Sequence, residues 1–183
     1  MSMVIVLNGT SSAGKSSLAR ALQQAAEKNF LHVQMDTFLS MQPPRLNNHP
    51  DAFVFRPIEG ADPPEIAIET GPFCQQLLDG MRRSVKALAD AGLDLVVDDV
   101  WLQGNEQYAY EMLLREHTVH FVGVFATLEA CEAREQARGD RDLGQARWQH
   151  SRVHANARYD LEVDNTAASP EMIAEVIAKR FGL

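Results

Sequence analysis

The segment at residues 9–16 limits what this chain can fold into more than any other feature of the sequence. It reads Gly-Thr-Ser-Ser-Ala-Gly-Lys-Ser, follows the apolar run at residues 3–7 and precedes apolar residues that recur at helical spacing. Glycines at both ends let the backbone curl into a nest of N–H donors, and a helix that begins there directs its positive end to the same point. A strand, this loop and a helix in succession predict a phosphate-binding loop in an α/β protein.

The residues of this loop are the candidates for nucleotide binding: Gly9, Thr10, Ser11, Ser12, Ala13, Gly14, Lys15, Ser16 and the adjacent Ser17. Lys15 is expected to be an exposed lysine that reaches the outer phosphates, and the hydroxyl of Ser16 is expected to hold Mg²⁺. A Gly/Ser-rich turn that matches by chance is the alternative, but every required position is filled and the flanking strand and helix are present. ATP and Mg²⁺ are therefore the predicted cofactors.

The composition suits one domain over residues 1–183 and argues against several classes of partner. Hydrophobic residues make up 45% of the chain, which is the normal globular range. A net charge of −8 and an isoelectric point near 5.2 argue against binding to nucleic acid or to an anionic membrane, because both need a broad basic surface. No stretch is typical of a signal peptide or a membrane span. Cys74 and Cys131 have no metal-binding spacing and are predicted to be buried reduced thiols, so a cytoplasmic protein is expected.

Acidic residues follow two further predicted strands. Asp36 comes after the strand candidate at residues 30–35, and Asp98 and Asp99 end the next apolar strand. Open α/β sheets bind ligands at the carboxyl edge, where these acids are expected to lie. Asp36 is either a catalytic carboxylate or the cap of a helix beginning at Thr37, and spacing alone favours neither. A carboxylate at the tip of the later strand can hold Mg²⁺ beside the phosphate loop. Asp98 is favoured because it directly follows the apolar run, and Asp99 is the second choice.

Seven of the eight prolines lie between residues 41 and 72. A loop of this length in a compact domain is usually functional or disordered, and the apolar residues within it argue against disorder. We predict that residues 42–71 form an acceptor-site insertion, with a short hairpin as one arrangement; a decoration without ligand contact is the alternative. The candidate acceptor contacts in and around it are Phe38, Met41, Phe53, Phe55, Asp99 and Trp101. Trp101 is equally expected to pack in the core.

An arginine-rich strip lies in the second half of the chain. Arg134 and Arg138 are one helical turn apart, on one face, and Arg141 follows them. Beside a phosphate loop, residues 134–145 are best interpreted as a mobile lid that closes over ATP and neutralises the transferring phosphoryl group. A solvated helix whose arginines pair with neighbouring acids such as Glu135 is the alternative.

These motifs together resemble the chloramphenicol phosphotransferase family of small kinases. The resemblance runs over nearly the whole chain and is carried by LNGTSSAGKSS (7–17), MDTFL (35–39), GPF (71–73), VVDDVWL (96–102), FVGV (121–124), AREQARGDR (133–141) and YDLEVD (159–164). The phosphate loop is common to P-loop kinases, whereas the acid after the second strand, the DDVWL ending and the RxxxRGDR sequence are more specific in combination.

The resemblance implies a P-loop kinase fold: α/β, with a five-stranded parallel sheet of order 2-3-1-4-5 flanked by helices and an arginine-containing lid. It also implies transfer of the ATP γ-phosphate to the 3-hydroxyl of chloramphenicol or to a hydroxyl of a similar small, largely apolar acceptor. Asp36 matches the position proposed as general base, Arg138 and Arg141 match lid positions near the phosphates, and Arg134 more loosely matches an arginine that stacks on adenine. With Lys15, the first three are the predicted catalytic residues.

Two other functions stay open at this point. A kinase for nucleosides, nucleotides or other small metabolites would need an anion clamp at the acceptor site, for which the candidates are Arg45, Arg56, Arg82 and Arg83. A nucleotide-binding regulator without catalysis is the other alternative. The chain has neither the NKxD motif of GTPases nor the LSGGQ motif of transporter ATPases, and Asp36 argues for chemistry.

Overall fold

Short apolar runs build the centre of the molecule, because a strand covered on both faces needs nearly continuous apolar side chains. The computed structural model describes residues 1–139 and 142–183. Its strands are β1 (Met3–Asn8), β2 (Phe30–Gln34), β3 (Phe53–Pro57), β4 (Ile66–Thr70), β5 (Asp94–Asp99), β6 (Thr118–Phe125) and β7 (Leu161–Asp164). The central sheet is parallel, in the order β2-β5-β1-β6-β7. Counted along the chain, its five strands lie in the order 2-3-1-4-5, which confirms the predicted sheet.

Helices cover both faces of this sheet. They are α1 (Lys15–Ala25), α2 (Met35–Leu39), α3 (Pro72–Asp90), α4 (Glu106–Leu113), α5 (Leu128–Arg138), α6 (Gln145–His150) and α7 (Pro170–Phe181). One face carries α1 and α7, packed around buried side chains such as Leu22 and Ile177. The other carries α3 and α4, packed around Met81 and Tyr110. The carboxyl ends of the strands, where ligands bind in such sheets, stay open for a site.

The proline-rich insertion contains the antiparallel hairpin of β3 and β4, in which Phe53 pairs with Thr70. A short 3-10 helix at Pro44–Leu46 precedes it. The base of the hairpin packs on α3 in a small apolar cluster of its own. At the other end, the backbone N–H of Ile66 donates to the carbonyl of Gly144 at 3.1 Å. The hairpin is therefore attached both to α3 and to the residue that precedes α6.

Both cysteines are buried and free, as predicted. Cys74 lies in the first turn of α3 and Cys131 lies in α5. Burial raises the pKa of the Cys74 thiol to about 11, which favours the protonated, unreactive form. Within residues 1–139 and 142–183, no helix combines the length and the apolar character needed to cross a membrane.

Candidate active site

The phosphate loop connects β1 to α1 and is packed so closely that its two glycines admit no side chain. A Cβ on Gly9 would overlap the carbonyl oxygen of Val124, and a Cβ on Gly14 would overlap the side chain of Asn165. Gly14 also has a φ of 91°, in the left-handed region that favours glycine. Both glycines are therefore required by the packing around the loop as well as by a phosphate ligand.

Buried amide side chains from outside the loop hold its backbone. Gln149 of α6 accepts the N–H of Ser11 at 2.7 Å, and Asn165 Nδ2 donates to the carbonyl of Ala13 at 2.6 Å. The hydroxyl of Ser12 lines the cavity beside the loop, is buried and has no hydrogen-bond partner among the described residues. A preformed loop with an unused hydroxyl fits the phosphate groups of a nucleotide.

Lys15 lies inside the loop, so the expectation of an exposed lysine is wrong. Its side chain is 6% exposed, and Nζ lies 3.9 Å from Oδ1 of Asp98. Nζ also donates to the carbonyls of Gly9 at 2.8 Å and Thr10 at 3.1 Å. Because the loop curls around this first residue of α1, its ammonium group is anchored where the helix N-terminus would attract phosphate oxygens.

Ser16 and Asp98 form an oxygen pair that fits a magnesium ion. The hydroxyl of Ser16 donates to Oδ2 of Asp98 at 2.5 Å. Burial raises the pKa of Asp98, but His32, Lys15 and Ser16 outweigh burial and hold this pKa below its usual range. The carboxylate is therefore ionised at neutral pH, and oxygen ligands of this kind are those that Mg²⁺ prefers. Ser16 and Asp98 are the residues that would hold the ion.

Asp99 and Trp101 do not reach the cavity, which corrects their prediction as acceptor contacts. Asp99 is fully buried and accepts hydrogen bonds from the hydroxyl of Tyr110 at 2.9 Å and from the backbone N–H of Val100 at 2.8 Å. Burial raises the pKa of Asp99. Trp101 is 4% exposed and stacks on Tyr159 with ring centroids 6.2 Å apart. Successive side chains of a strand point to opposite faces, so the side chains of Asp98 and Asp99 lie on opposite faces of the sheet. Asp99 is therefore also excluded as the alternative to Asp98 for the metal.

One cavity of about 710 Å³ extends from the phosphate loop to the hairpin. Its phosphate end is lined by loop residues and by side chains of β5, α5 and α6, namely Ser11, Ser12, Gly14, Lys15, Ser16, Ser17, Asp98, Arg134, Arg138, Asp142, Gln145 and Gln149. Its acceptor end is lined by apolar side chains of α2, α3, the hairpin and the chain after β5, namely Met35, Leu39, Phe53, Phe55, Ile68, Leu78, Val100 and Leu102. Polar groups at the acceptor end are Asp36, Thr70, Gln103 and Glu106.

Asp36 lines this cavity from the first turn of α2 and has an exposed side chain. The helix begins at Met35 instead of Thr37, so Asp36 lies within it, and Gln34 occupies the N-cap position without a side-chain hydrogen bond. The capping role that was the alternative for Asp36 is therefore wrong. Asp36 shares a cavity with Lys15, and its carboxylate has no hydrogen bond or ion pair with the residues that the structure describes, so it is available to a substrate.

Of the predicted acceptor contacts, the two on the hairpin line the cavity, whereas Phe38 on α2 and Met41 just after it do not. Phe53 and Phe55 line its acceptor end. Phe38 packs instead against the core between the sheet and α3, and Met41 is 63% exposed to solvent. The helical turn of α2 directs Met35 and Leu39, which were not predicted, toward the cavity, and Phe38 lies on another face.

The arginine strip lies at the phosphate end of the cavity. Arg134 Nη2 donates to the carbonyls of Asn165 at 2.7 Å and Thr166 at 3.1 Å, and Arg138 lines the cavity at the end of α5. Arg141 lies outside the described residues. Glu135 is buried and accepts the backbone N–H of Gly144 and of Ala146, each at 2.9 Å. It therefore joins α5 to the start of α6.

The candidate anion clamp is not assembled at the acceptor end. Arg56 pairs with Glu69 at 2.8 Å on the hairpin. Arg82 is buried beside Asp79, at 3.1 Å. None of the four candidate arginines, Arg45, Arg56, Arg82 and Arg83, lines the cavity.

Several site residues have no signal in a single sequence. Glu106 is buried, and its Oε1 accepts the backbone N–H of Leu102 at 2.9 Å and of Gln103 at 2.8 Å, which holds the chain after β5 against the cavity. Gln149 and Asn165 support the phosphate loop from positions more than 130 residues away in the chain. Leu39 belongs to the MDTFL motif and could have been proposed from it, whereas Gln149 and Asn165 belong to no motif that indicates their role.

Comparison with known proteins agrees with this geometry. The chain matches the family described as "Chloramphenicol phosphotransferase-like protein" over residues 2–182. A Mycobacterium tuberculosis (strain CDC 1551 / Oshkosh) protein named "Putative O-phosphotransferase MT2714" is 31% identical over 186 residues, which cover 97% of this chain and 81% of that protein.

Two solved structures share the fold at low identity. A sugar kinase from Janibacter sp. HTCC2649 has a TM-score of 0.67 and 18% identity, with 100% of this chain and 95% of that chain covered. The Mycobacterium tuberculosis APS kinase CysC, in complex with AMPPNP and APS, has a TM-score of 0.66 and 14% identity, with 100% of this chain and 98% of that chain covered. The family match spans nearly the whole chain and includes the residues of the phosphate loop. The chain therefore belongs to the chloramphenicol phosphotransferase-like family and is a phosphotransferase with the P-loop kinase fold.

Proposed function

We propose that the protein transfers the γ-phosphate of ATP to a hydroxyl group of a small, uncharged and largely apolar acceptor. The observation that carries this proposal is one cavity with a phosphate loop at one end and an apolar wall at the other. The cationic side chains among its described lining residues are Lys15, Arg134 and Arg138, which come from α1 and α5. A carboxylate, sulfate or phosphate at the apolar end would have no described cationic partner, and burying an unpaired charge is unfavourable.

The residues of the site divide the work of phosphoryl transfer. Asp36 orients the acceptor hydroxyl and accepts its proton as the new O–P bond forms. Lys15 and Arg138 neutralise charge on the transferring phosphoryl group, and Arg141 is predicted to assist them. Arg134 contacts the adenine of ATP. Positioning and charge neutralisation dominate because phosphoryl transfer needs little covalent help from the protein.

Ser16 and Asp98 would hold Mg²⁺. The bound ion would supply further charge neutralisation at the β- and γ-phosphate oxygens. The ionised carboxylate of Asp98 and its contact with the Ser16 hydroxyl support this assignment, because both groups offer oxygen ligands at one point of the cavity. Within this proposal the chain works as one domain over residues 1–183, and the cytoplasm is its expected compartment.

Chloramphenicol is the first acceptor to test, because the resemblance suggests it and because it is neutral and aromatic. A coupled assay of ADP release should respond to chloramphenicol or to other neutral alcohols of similar size. Chloramphenicol acetylated at the 3-hydroxyl is the matched control, since it keeps the shape and lacks the reacting group. AMP tests the nucleotide-kinase alternative.

Each outcome of this assay has a distinct meaning. ADP release that depends on a neutral alcohol and disappears with the acetylated control supports the proposal. Faster release with AMP or a sugar acid than with any neutral alcohol contradicts the acceptor class. Tight ATP binding with no release for any hydroxyl compound contradicts the proposed transfer to small acceptors and favours a regulator.

A further inference from the structure

His32 is a buried polar side chain that the proposed mechanism does not use. It lies on β2, and its side chain is 10% exposed. Its Nε2 is buried and has no hydrogen-bond partner among the described residues. Nearly all buried polar atoms in proteins have a partner, so an isolated imidazole nitrogen needs an explanation.

The nearest acceptor to this nitrogen is the carboxylate that would hold the metal. His32 Nε2 lies 3.7 Å from Oδ2 of Asp98, just beyond hydrogen-bonding distance. In the sheet, His32 pairs with Val96 of β5, two residues before Asp98, so both side chains point to the face that carries α1. His32 is therefore directed at Asp98 by the register of the two strands.

Among the described residues, the side chains of Ser16, Lys15 and His32 are polar neighbours of the Asp98 carboxylate, and His32 is the one that does not belong to the phosphate-loop motif. Ser16 donates to Oδ2, and Lys15 faces Oδ1. Both of these residues have a second role at the nucleotide, Ser16 as a metal-holding hydroxyl and Lys15 as a phosphate contact. When they turn to a nucleotide, His32 is the neighbour that remains to hold the carboxylate.

We infer that His32 is a positioning residue that orients the Asp98 carboxylate for the divalent cation, an inference that rests on the metal assignment in the proposed function. His32 is a donor to Asp98 and not a ligand of the ion, because Mg²⁺ prefers oxygen ligands. Groups that hold a metal-binding side chain in this way typically change metal affinity by about 10- to 100-fold when they are removed.

The test measures binding of Mn²⁺, the probe ion, by the electron paramagnetic resonance signal of the free ion, with ADP present and no acceptor. His32→Phe keeps a planar ring and removes the N–H donor, so its dissociation constant for Mn²⁺ should rise by about 10- to 100-fold. Affinity for ADP without metal should stay unchanged. His32→Gln restores an amide donor and should recover most of the Mn²⁺ affinity.

His117→Gln is the matched control, because His117 also faces an aspartate, Asp90 at 2.9 Å, and neither residue lines the cavity. It should bind Mn²⁺ like the wild type. If His32→Phe does not fold, His32→Leu replaces it as a smaller apolar variant. Wild-type Mn²⁺ affinity in a folded variant without the donor overturns the inference.

The assay separates this inference from the acceptor proposal, because no acceptor is present. Mn²⁺ uptake by the wild type that weakens in His32→Phe supports the inference even where no tested alcohol is phosphorylated. Failure of the wild type to take up Mn²⁺ with ADP overturns both the metal assignment and the role of His32.

Discussion

The two ends of the cavity are built in different ways. At the phosphate end, consecutive residues of one loop are held at 2.6 to 3.1 Å by hydrogen bonds such as those of Gln149, Asn165 and Lys15. At the acceptor end, apolar side chains come from α2, the hairpin, α3 and the chain after β5, and those of the first three elements contact one another by apolar packing. Charged phosphates require fixed donors, whereas an apolar ligand requires volume and shape.

This difference predicts two patterns of mutational effect. A change at the phosphate end should affect transfer to every acceptor, because every reaction uses the same nucleotide. A change at the acceptor end should alter the preference among acceptors and leave the use of ATP intact.

Replacement of Lys15 should have the largest effect. Lys15→Met keeps the aliphatic stem and removes the ammonium group, so kcat/KM should fall by roughly 10⁴-fold for every acceptor, the scale of cationic groups that stabilise transferring phosphates. Because Nζ donates to Gly9 and Thr10, unfolding should also become easier by about 1 kcal/mol. Steady-state kinetics with two acceptors and urea unfolding measure both changes. A loss confined to one acceptor would contradict the division.

Asp36 is the carboxylate of the acceptor end that is proposed to act in the chemical step. Asp36→Asn should lower kcat by about 10³-fold, within the usual range for a general base, at saturating ATP and acceptor. The melting temperature should change little, because the side chain is exposed and does not cap α2. Asp51→Asn, at another exposed acid outside this cavity, is the control and should keep full activity. A lower melting temperature with unchanged kcat would remove Asp36 from catalysis.

Arg138 should act on the transition state. Arg138→Ala should lower kcat by roughly 10²-fold and change the dissociation constant of ATP much less, because a transition-state contact contributes mainly to the chemical step. Arg20→Ala, at an exposed arginine of α1, serves as the control. If only nucleotide affinity changes, Arg138 holds the ground state.

Phe55 tests the acceptor end. Phe55→Ala should raise KM for an apolar acceptor by about 10-fold or more, since lost apolar contact is worth about 1 to 3 kcal/mol. The KM for ATP should not change. Phe73→Ala removes a phenyl ring that is 38% exposed and does not line this cavity, and should leave both constants unaltered. Equal increases in both KM values would contradict the division.

His154, which is not among the residues that line the cavity, should produce the smallest effect, on the stability of the fold. It stacks on Phe125 with ring centroids 3.8 Å apart, and its Nδ1 lies 2.7 Å from the hydroxyl of Tyr159. Burial, with help from His150 and Lys15, lowers the pKa of His154 to about 4. The folded state therefore favours the neutral ring, so stability is fully present above about pH 6.5 and falls as the pH drops toward 4.

The expected loss is roughly 1 to 2 kcal/mol by pH 4, because each pKa unit is worth about 1.4 kcal/mol and partial exposure of the ring screens part of it. Urea unfolding at pH 7, 5.5 and 4.5 measures it. His154→Phe should show a shallower loss over this window. Identical pH dependence in the two proteins would show that His154 does not contribute.

Prediction from sequence was most successful where function depends on neighbouring residues. One motif predicted the phosphate loop and the Ser16 hydroxyl, and one strand ending predicted Asp98. In the structure, the Ser16 hydroxyl lies 2.5 Å from Oδ2 of Asp98. Phe53 and Phe55 were predicted because an apolar pair in a proline-rich segment needs cover. Trp101, Met41 and Phe38 were misplaced, because each of the three is apolar and close to a motif, and neither property indicates the direction of a side chain.

The sequence by itself determined the order of strands and helices, the phosphate loop and the family, because contiguous residues carry those patterns. The sequence favoured Asp98 of the two adjacent acids, and the tertiary structure shows that Asp98 lines the cavity and that Asp99 does not. Asp98 and Asp99 are chemically identical, and strand alternation together with the packing of Tyr110 and Arg82 buries one and leaves the other beside Ser16. The tertiary structure also decided that Lys15 is buried, that Gln149 and Asn165 hold the loop, and that His32 faces Asp98. Each of these depends on contacts between residues far apart in the chain, which local propensity does not encode.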